Sequence, residues 1–216
     1  MTIEERLNII AENVPKVYAN GVEDGKIAER KAFWGGFQNN GNPTSYSYAF
    51  RTARWTDSIY NPEHDIVLSN AGDLGNAFNG SVITDTKKPI IFLSGGNASN
   101  AFYNATAMKT IRPITVVEGV VFGDTCFYRC VSLENISFNG TLDSSINLQW
   151  STKLNRNSIM SVINALSTTT SGLTVTLSKT AVNKAFETTE GANDGSTSAE
   201  WLALVGTKSN WTIALA

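Results

Sequence analysis

Histidine occurs once in this chain of 216 residues and cysteine only twice. A single imidazole, His64, leaves room for at most one Ser–His–Asp or Cys–His arrangement. If Asp65 opens a strand, the side chains of Glu63-His64-Asp65 alternate between faces and do not converge on a metal or a shared proton. His64 therefore reads as a solvated loop residue. Cys126 and Cys130 make no disulfide framework, and they lack the second pair that a zinc site would need. They read as small apolar residues packed beside Phe127. The sequence contains no GxSxG elbow, no GxxxxGK[ST] and no GxGxxG. No catalytic residue, metal or cofactor is expected.

Charge is scarce too. Charged residues make up 17% of the chain, against about a quarter in ordinary domains. Asn, Ser, Thr and Gly fill the difference. The net charge is −2 and the basic residues are scattered, so no stripe is present to neutralise a phosphate backbone and no nucleic-acid partner is expected. No apolar run approaches the roughly 20 residues that cross a bilayer, which argues against membrane insertion. The opening MTIEERLNIIAENV carries two Glu before its first Arg and no unbroken apolar core, so it reads as no secretory signal peptide. The sequons at Asn97, Asn104, Asn135 and Asn139 are then expected to carry no glycan.

What the chain does contain is periodicity of two kinds. Residues 1–40 read as helical. Thr2 and Glu5 form a capping box, and Ile3, Leu7, Ile10, Val14 and Val17 recur at heptad spacing until Pro15 ends or kinks the helix. This seam either caps its own domain or joins chains. A second helical stretch offers Ile27, Phe33, Trp34 and Phe37, and NNGNP (39–43) closes it.

From about residue 65 the pattern becomes repetitive. DIVLS, PIIFL and PITVV begin at Asp65, Pro89 and Pro113, steps of 24, and NISF follows at Asn135. Ile66, Ile90, Ile114 and Ile136 read as one column, and Leu68, Phe92, Val116 and Phe138 as another. A competing alignment sets Ile111, not Ile114, opposite Ile136. Phe78, Phe102 and Phe127 form a third column, each preceded by a small residue. A period of this length with one short strand per copy marks a solenoid, whose stacked coils join single apolar faces into one core. Phe102, Met108, Phe127 and Leu133 are its expected filling. Asn and Gly serve the tight corners.

After residue 150 the period loosens into strand and helix. Ile159, Val162, Ile163 and Leu166 share a helical face capped by Asn157 or Ser158. LTVTLS (173–178) and WTIAL read as strands, with short helices at TAVNKAF and STSAEWLALVG and a mobile loop at 187–198. The expected fold is α/β: a helical N-terminal segment (1–43), a short parallel β-solenoid (44–150) and an α/β C-terminal cap (151–216).

The frame AF-x-x-C/A-x-x-L/M-x-x-I, at Ala101 to Ile111 and Cys126 to Ile136, resembles the BspA-like leucine-rich repeat. Ala105 stands where that family carries Cys, and the copy around Phe78 lacks the Leu position. Longer stretches (MTIEERLNIIAENVPKVY, FQNNGNPTSYSYAF, QWSTKLNRNSIMSVINALSTTTSGLTVTLSKTAVN and SAEWLALVGTKSNWTIAL) resemble proteins encoded by phages and prophages of gut Firmicutes. That resemblance implies a non-enzymatic virion structural or host-recognition protein, in the particle or in the bacterial cytoplasm before assembly. Its partners would be other virion proteins, itself, or a cell-surface glycan or protein receptor.

Aromatic residues are the candidate contact points. Tyr46, Tyr48, Trp55 and Tyr60 crowd one segment, while Tyr103 and Tyr128 occupy one slot of adjacent copies. Aromatics among amides suit sugar rings. They equally suit a cap core and a structural ladder. The rival function is a glycan-active enzyme or carbohydrate-binding module, and hydrolysis would need only two carboxylates brought together from distant positions.

Overall fold

The runs Ile66-Val67-Leu68, Ile90-Ile91-Phe92 and Ile114-Thr115-Val116 are each too short to bury an apolar face alone. The computed structural model describes Pro62, residues 65–68 and residues 72–216, and in it these runs lie side by side. Chain order gives β1 (Ile66–Leu68), β2 (Ile90–Phe92), β3 (Gly96–Asn97), β4 (Ile114–Val116), β5 (Val120–Val121), β6 (Phe138–Gly140) and β7 (Ile146–Leu148). Then follow α1 (Arg156–Ala165), β8 (Leu173–Leu177), α2 (Lys179–Ala185), a 3-10 turn (Gly195–Thr197), α3 (Ala199–Gly206) and β9 (Trp211–Leu215). The expected N-terminal helices, the seam Ile3, Leu7, Ile10, Val14 and Val17, the aromatics Tyr46, Tyr48, Trp55 and Tyr60, and His64 lie outside the described residues.

The described chain is a mixed α/β structure of parallel sheets with three helices. The sheets run β1-β2-β4-β6, β3-β5 and β7-β8-β9. Ile66 pairs with Ile90 and Ile90 with Ile114, so the alternation of each triplet sends its outer two side chains into one core. Phe78, Phe102 and Phe127 stack in that core with ring centroids 5.1 and 5.5 Å apart and planes nearly parallel. Met108 and Leu133 are fully buried beside them.

The fourth copy departs from the expected columns. Ile114 pairs with Phe138, and Val116 with Gly140, whereas Ile136 lies beside Ile111: Thr110 bridges Asn135, and the Ile111 N–H donates to the Asn135 carbonyl at 2.8 Å. The cause is a corner that shortens. Arg112 and Pro113 separate Ile111 from Ile114, but only Ser137 separates Ile136 from Phe138. Gly140 accepts this position because its φ is 97° and a Cβ there would strike the Val116 carbonyl oxygen. The bridge from Asp85 to Thr110 likewise sets Ile83 opposite Met108, so the copy around Phe78 does fill its Leu position.

Helix α1 begins earlier than its apolar face suggests. Its cap is Asn155, not Asn157 or Ser158, because the Asn155 Oδ1 accepts from the Ser158 N–H at 2.9 Å. Ser178 and Ser198 cap α2 and α3 in the same way. The segment 187–198 is cross-tied by its own side chains: Glu187 accepts from the N–H groups of Gly191 and Asn193, and Asp194 accepts from Thr188.

Candidate functional site

The residue after each core phenylalanine faces the other way. Phe102 and Phe127 are fully buried, while Tyr103 and Tyr128 are half-buried on the outer flank. One residue later the backbone turns through the left-handed region, at φ 56° for Asn104 and 58° for Arg129. Equal turns keep the two tyrosines in register, and their rings stack at 4.9 Å with an interplanar angle of 17°. Trp150 meets Tyr128 edge-on, at 5.4 Å and 68°, and remains 39% exposed. Val82 and Val131, each four residues beyond a core phenylalanine, are also exposed.

Two of the six aromatic candidates, Tyr103 and Tyr128, are thus brought together. The stacking that unites them covers the ring faces a sugar would need, which leaves edges and hydroxyls outward. The more exposed aromatic ring is that of Trp150. Trp150 follows Tyr128 by 22 residues, the same step that separates Pro113 from Asn135, and that shortened period was the signal for it.

A second feature lies where the shortened corner meets α1. A groove of about 400 Å³ is lined there by the polar residues Thr110, Arg112, Asn135, Ser137, Asn155 and Asn157 together with Ile111, Pro113 and Ile136. A ladder of side-chain hydrogen bonds crosses it: Asn155 Nδ2 donates to Asn135 Oδ1 at 2.6 Å, and Asn135 Nδ2 to Thr110 Oγ1 at 3.3 Å. The Arg112 guanidinium forks onto Asp85 through Nε (3.0 Å) and Nη2 (2.7 Å), and this pairing raises its pKa. Among the described residues no carboxylate lines the groove, so they assemble no acid pair of a glycoside hydrolase there.

The cysteines are core residues, as their spacing suggests. Both are fully buried and unpaired with each other, and the Cys130 thiol donates to the Phe102 carbonyl at 3.1 Å. Burial pushes the Cys126 thiol well up and the Cys130 thiol up to about 12, so neither is a nucleophile near neutral pH. Among the described residues no group of three or more His, Cys, Asp or Glu could hold a metal ion, and no helix is long and apolar enough to cross a membrane. No family model, curated protein or solved structure matches the chain.

Proposed function

We propose that this chain is a non-enzymatic recognition protein of a phage particle, built on a short parallel β-solenoid of leucine-rich-repeat type. In this reading the 24-residue segments are coils and residues 151–216 form the α/β C-terminal cap. The file Tyr103, Tyr128 and Trp150 carries the proposal. It places large aromatic side chains outside coils whose interior is already filled by Phe78, Phe102 and Phe127. Trp150, a ring that the core does not use and that meets Tyr128 only edge-on, suits contact with a surface that has apolar faces and hydroxyls, as cell-wall glycans do. The sequence resemblance to phage and prophage proteins supports the location, and the groove without carboxylates favours binding over hydrolysis.

The test is retention of the purified chain on cell-wall glycan from gut Firmicutes. Wild type should be retained, Trp150→Ala should lose most retention, and Tyr128→Ala should lose part of it by releasing Trp150. Failure of wild type to bind, or equal binding by all three proteins, would sink the proposal.

A further inference from the structure

The groove beside α1 invites a ligand of a different kind from the aromatic flank. Its volume, about 400 Å³, is at the lower end of small-molecule sites and fits one or two sugar rings rather than a folded partner. Among the described residues no aromatic side chain lines it, so recognition by them rests on hydrogen bonds.

The unspent groups are mostly donors. Arg112 has five N–H groups and commits two of them to Asp85, leaving three. Asn135 and Asn155 each donate one amide hydrogen within the ladder and keep another. The Asn155 oxygen accepts from the Ser158 N–H and that of Asn135 from Asn155, so each has used one of its two acceptor positions. The Asn157 carboxamide is exposed and pairs with no other described residue. A groove with spare guanidinium and amide donors, and no acid among its described lining residues, suits a ligand that presents acceptor oxygens without a compact charge. An acetamido carbonyl beside sugar hydroxyls has that chemistry. An extended peptide fits less well, because it needs a free strand edge or side-chain pockets.

We propose that this groove is a second glycan site, taking one or two N-acetylated sugar residues. Arg112 and Asn157 hold the acetamido carbonyl, and the Thr110–Asn135–Asn155 ladder meets the ring hydroxyls. The site is separate from the aromatic flank and stands whether or not that flank binds.

Titration of the isotope-labelled full chain with N,N′-diacetylchitobiose, followed through the side-chain amide signals of Asn135, Asn155 and Asn157, tests this directly. Those signals should move saturably, while maltose, which has no acetamido group, moves them far less. Asn157→Trp, which fills the groove from an exposed position, should weaken chitobiose binding about tenfold or more, and Trp150→Ala should leave it unchanged. Unmoved amide signals in the wild-type chain overturn the proposal without reference to any variant. Equal response to maltose, or full binding by Asn157→Trp, overturns it as well. Loss of binding on Trp150→Ala alone would assign the sugar to the aromatic flank and remove the groove.

Discussion

Residues 65–140 and residues 142–216 both build parallel sheets, but they return to the sheet by different means. In the first region, paired strands lie 24 residues apart and the return is made of turns. In the second, Ile146 pairs with Val175 and Leu173 with Trp211, steps of 29 and 38 residues, and the added length becomes α1, α2 and α3. A turn has little apolar surface of its own, so the first region depends on a file of stacked phenylalanines. A helix brings its own buried face, such as Ile159, Val162 and Ile163 on α1, and the file ends where the helices begin. The two regions therefore keep their stability in different places.

The largest expected effect follows from this. Phe102 is sandwiched between Phe78 and Phe127, so Phe102→Ala leaves a cavity walled by rings that are themselves held in register. A cost of about 3–5 kcal/mol is expected. Phe186 is equally buried but, among the described aromatic rings, packs against Trp201 alone, at the end of α2. Phe186→Ala should cost less, since its surroundings can close in. Urea melts of both variants measure the difference. Equal losses would break the contrast between a rigid file and an adaptable helical layer.

Next in size is Lys208, which is 7% exposed and has no acid beside it among the described residues. Its Nζ donates to the carbonyls of Asn164 and Leu166 and thereby closes the C-terminal end of α1. Lys208→Met keeps the stem but leaves those carbonyls without their donor, at a cost of about 1–3 kcal/mol. Burial also draws the ammonium pKa below its ordinary 10.5. The unfolded chain then binds more protons in the window below 10.5, so stability should rise with pH across that window. At lower pH both states are protonated and the slope vanishes. Stability of wild type minus that of Lys208→Met, measured from pH 8 to 11, isolates the effect from other titrating groups. A difference that falls with pH would mean that the two carbonyls outweigh burial and hold the charge.

Much of the first region was legible in the sequence because each local signal repeats. Ile66, Ile90 and Ile114 share a column at steps of 24, and the structure pairs them so. At Ile136 the sequence left two alignments open because a corner lost one residue and apolar residues stand on both sides of it; the structure takes the one that sets Ile111 opposite Ile136. The Asn155 cap was missed for a related reason. A helix announces itself by its apolar face, and here that face starts at Ile159, four residues after the cap. Of the candidate site, the Tyr103–Tyr128 stack followed from the repeat. Trp150 and the groove did not, because both depend on where the period breaks.

Asn155 sits at that break, which makes it a graded probe. It caps α1 and also bonds to Asn135 of the preceding segment. Asn155→Ala removes both and should cost about 1–2 kcal/mol. Asn155→Ser keeps a capping hydroxyl but is too short to reach Asn135, so it should cost about half as much or less. If Ser proves as costly as Ala, the stabilisation lies in the ladder between the regions and not in the cap.

The smallest effect expected is a gain. Arg129 holds φ at 58° on the turn where Gly80 stands at 65° in an earlier copy and Asn104 at 56° in the next. An L residue in that region costs about 1–2 kcal/mol, whereas glycine loses about 0.5–1 kcal/mol of backbone entropy on folding. The Arg129 side chain is exposed. Arg129→Gly should therefore stabilise the chain by about 0.5 kcal/mol, and Gly80→Ala should destabilise it by more than that. The opposite signs at equivalent turns would show that the backbone angle, and not the side chain, sets the energy of these returns. A loss on Arg129→Gly would instead assign the arginine stem a packing role beside Tyr128. The turn would then resemble the helical returns of the second region, which also bury side chains of their own.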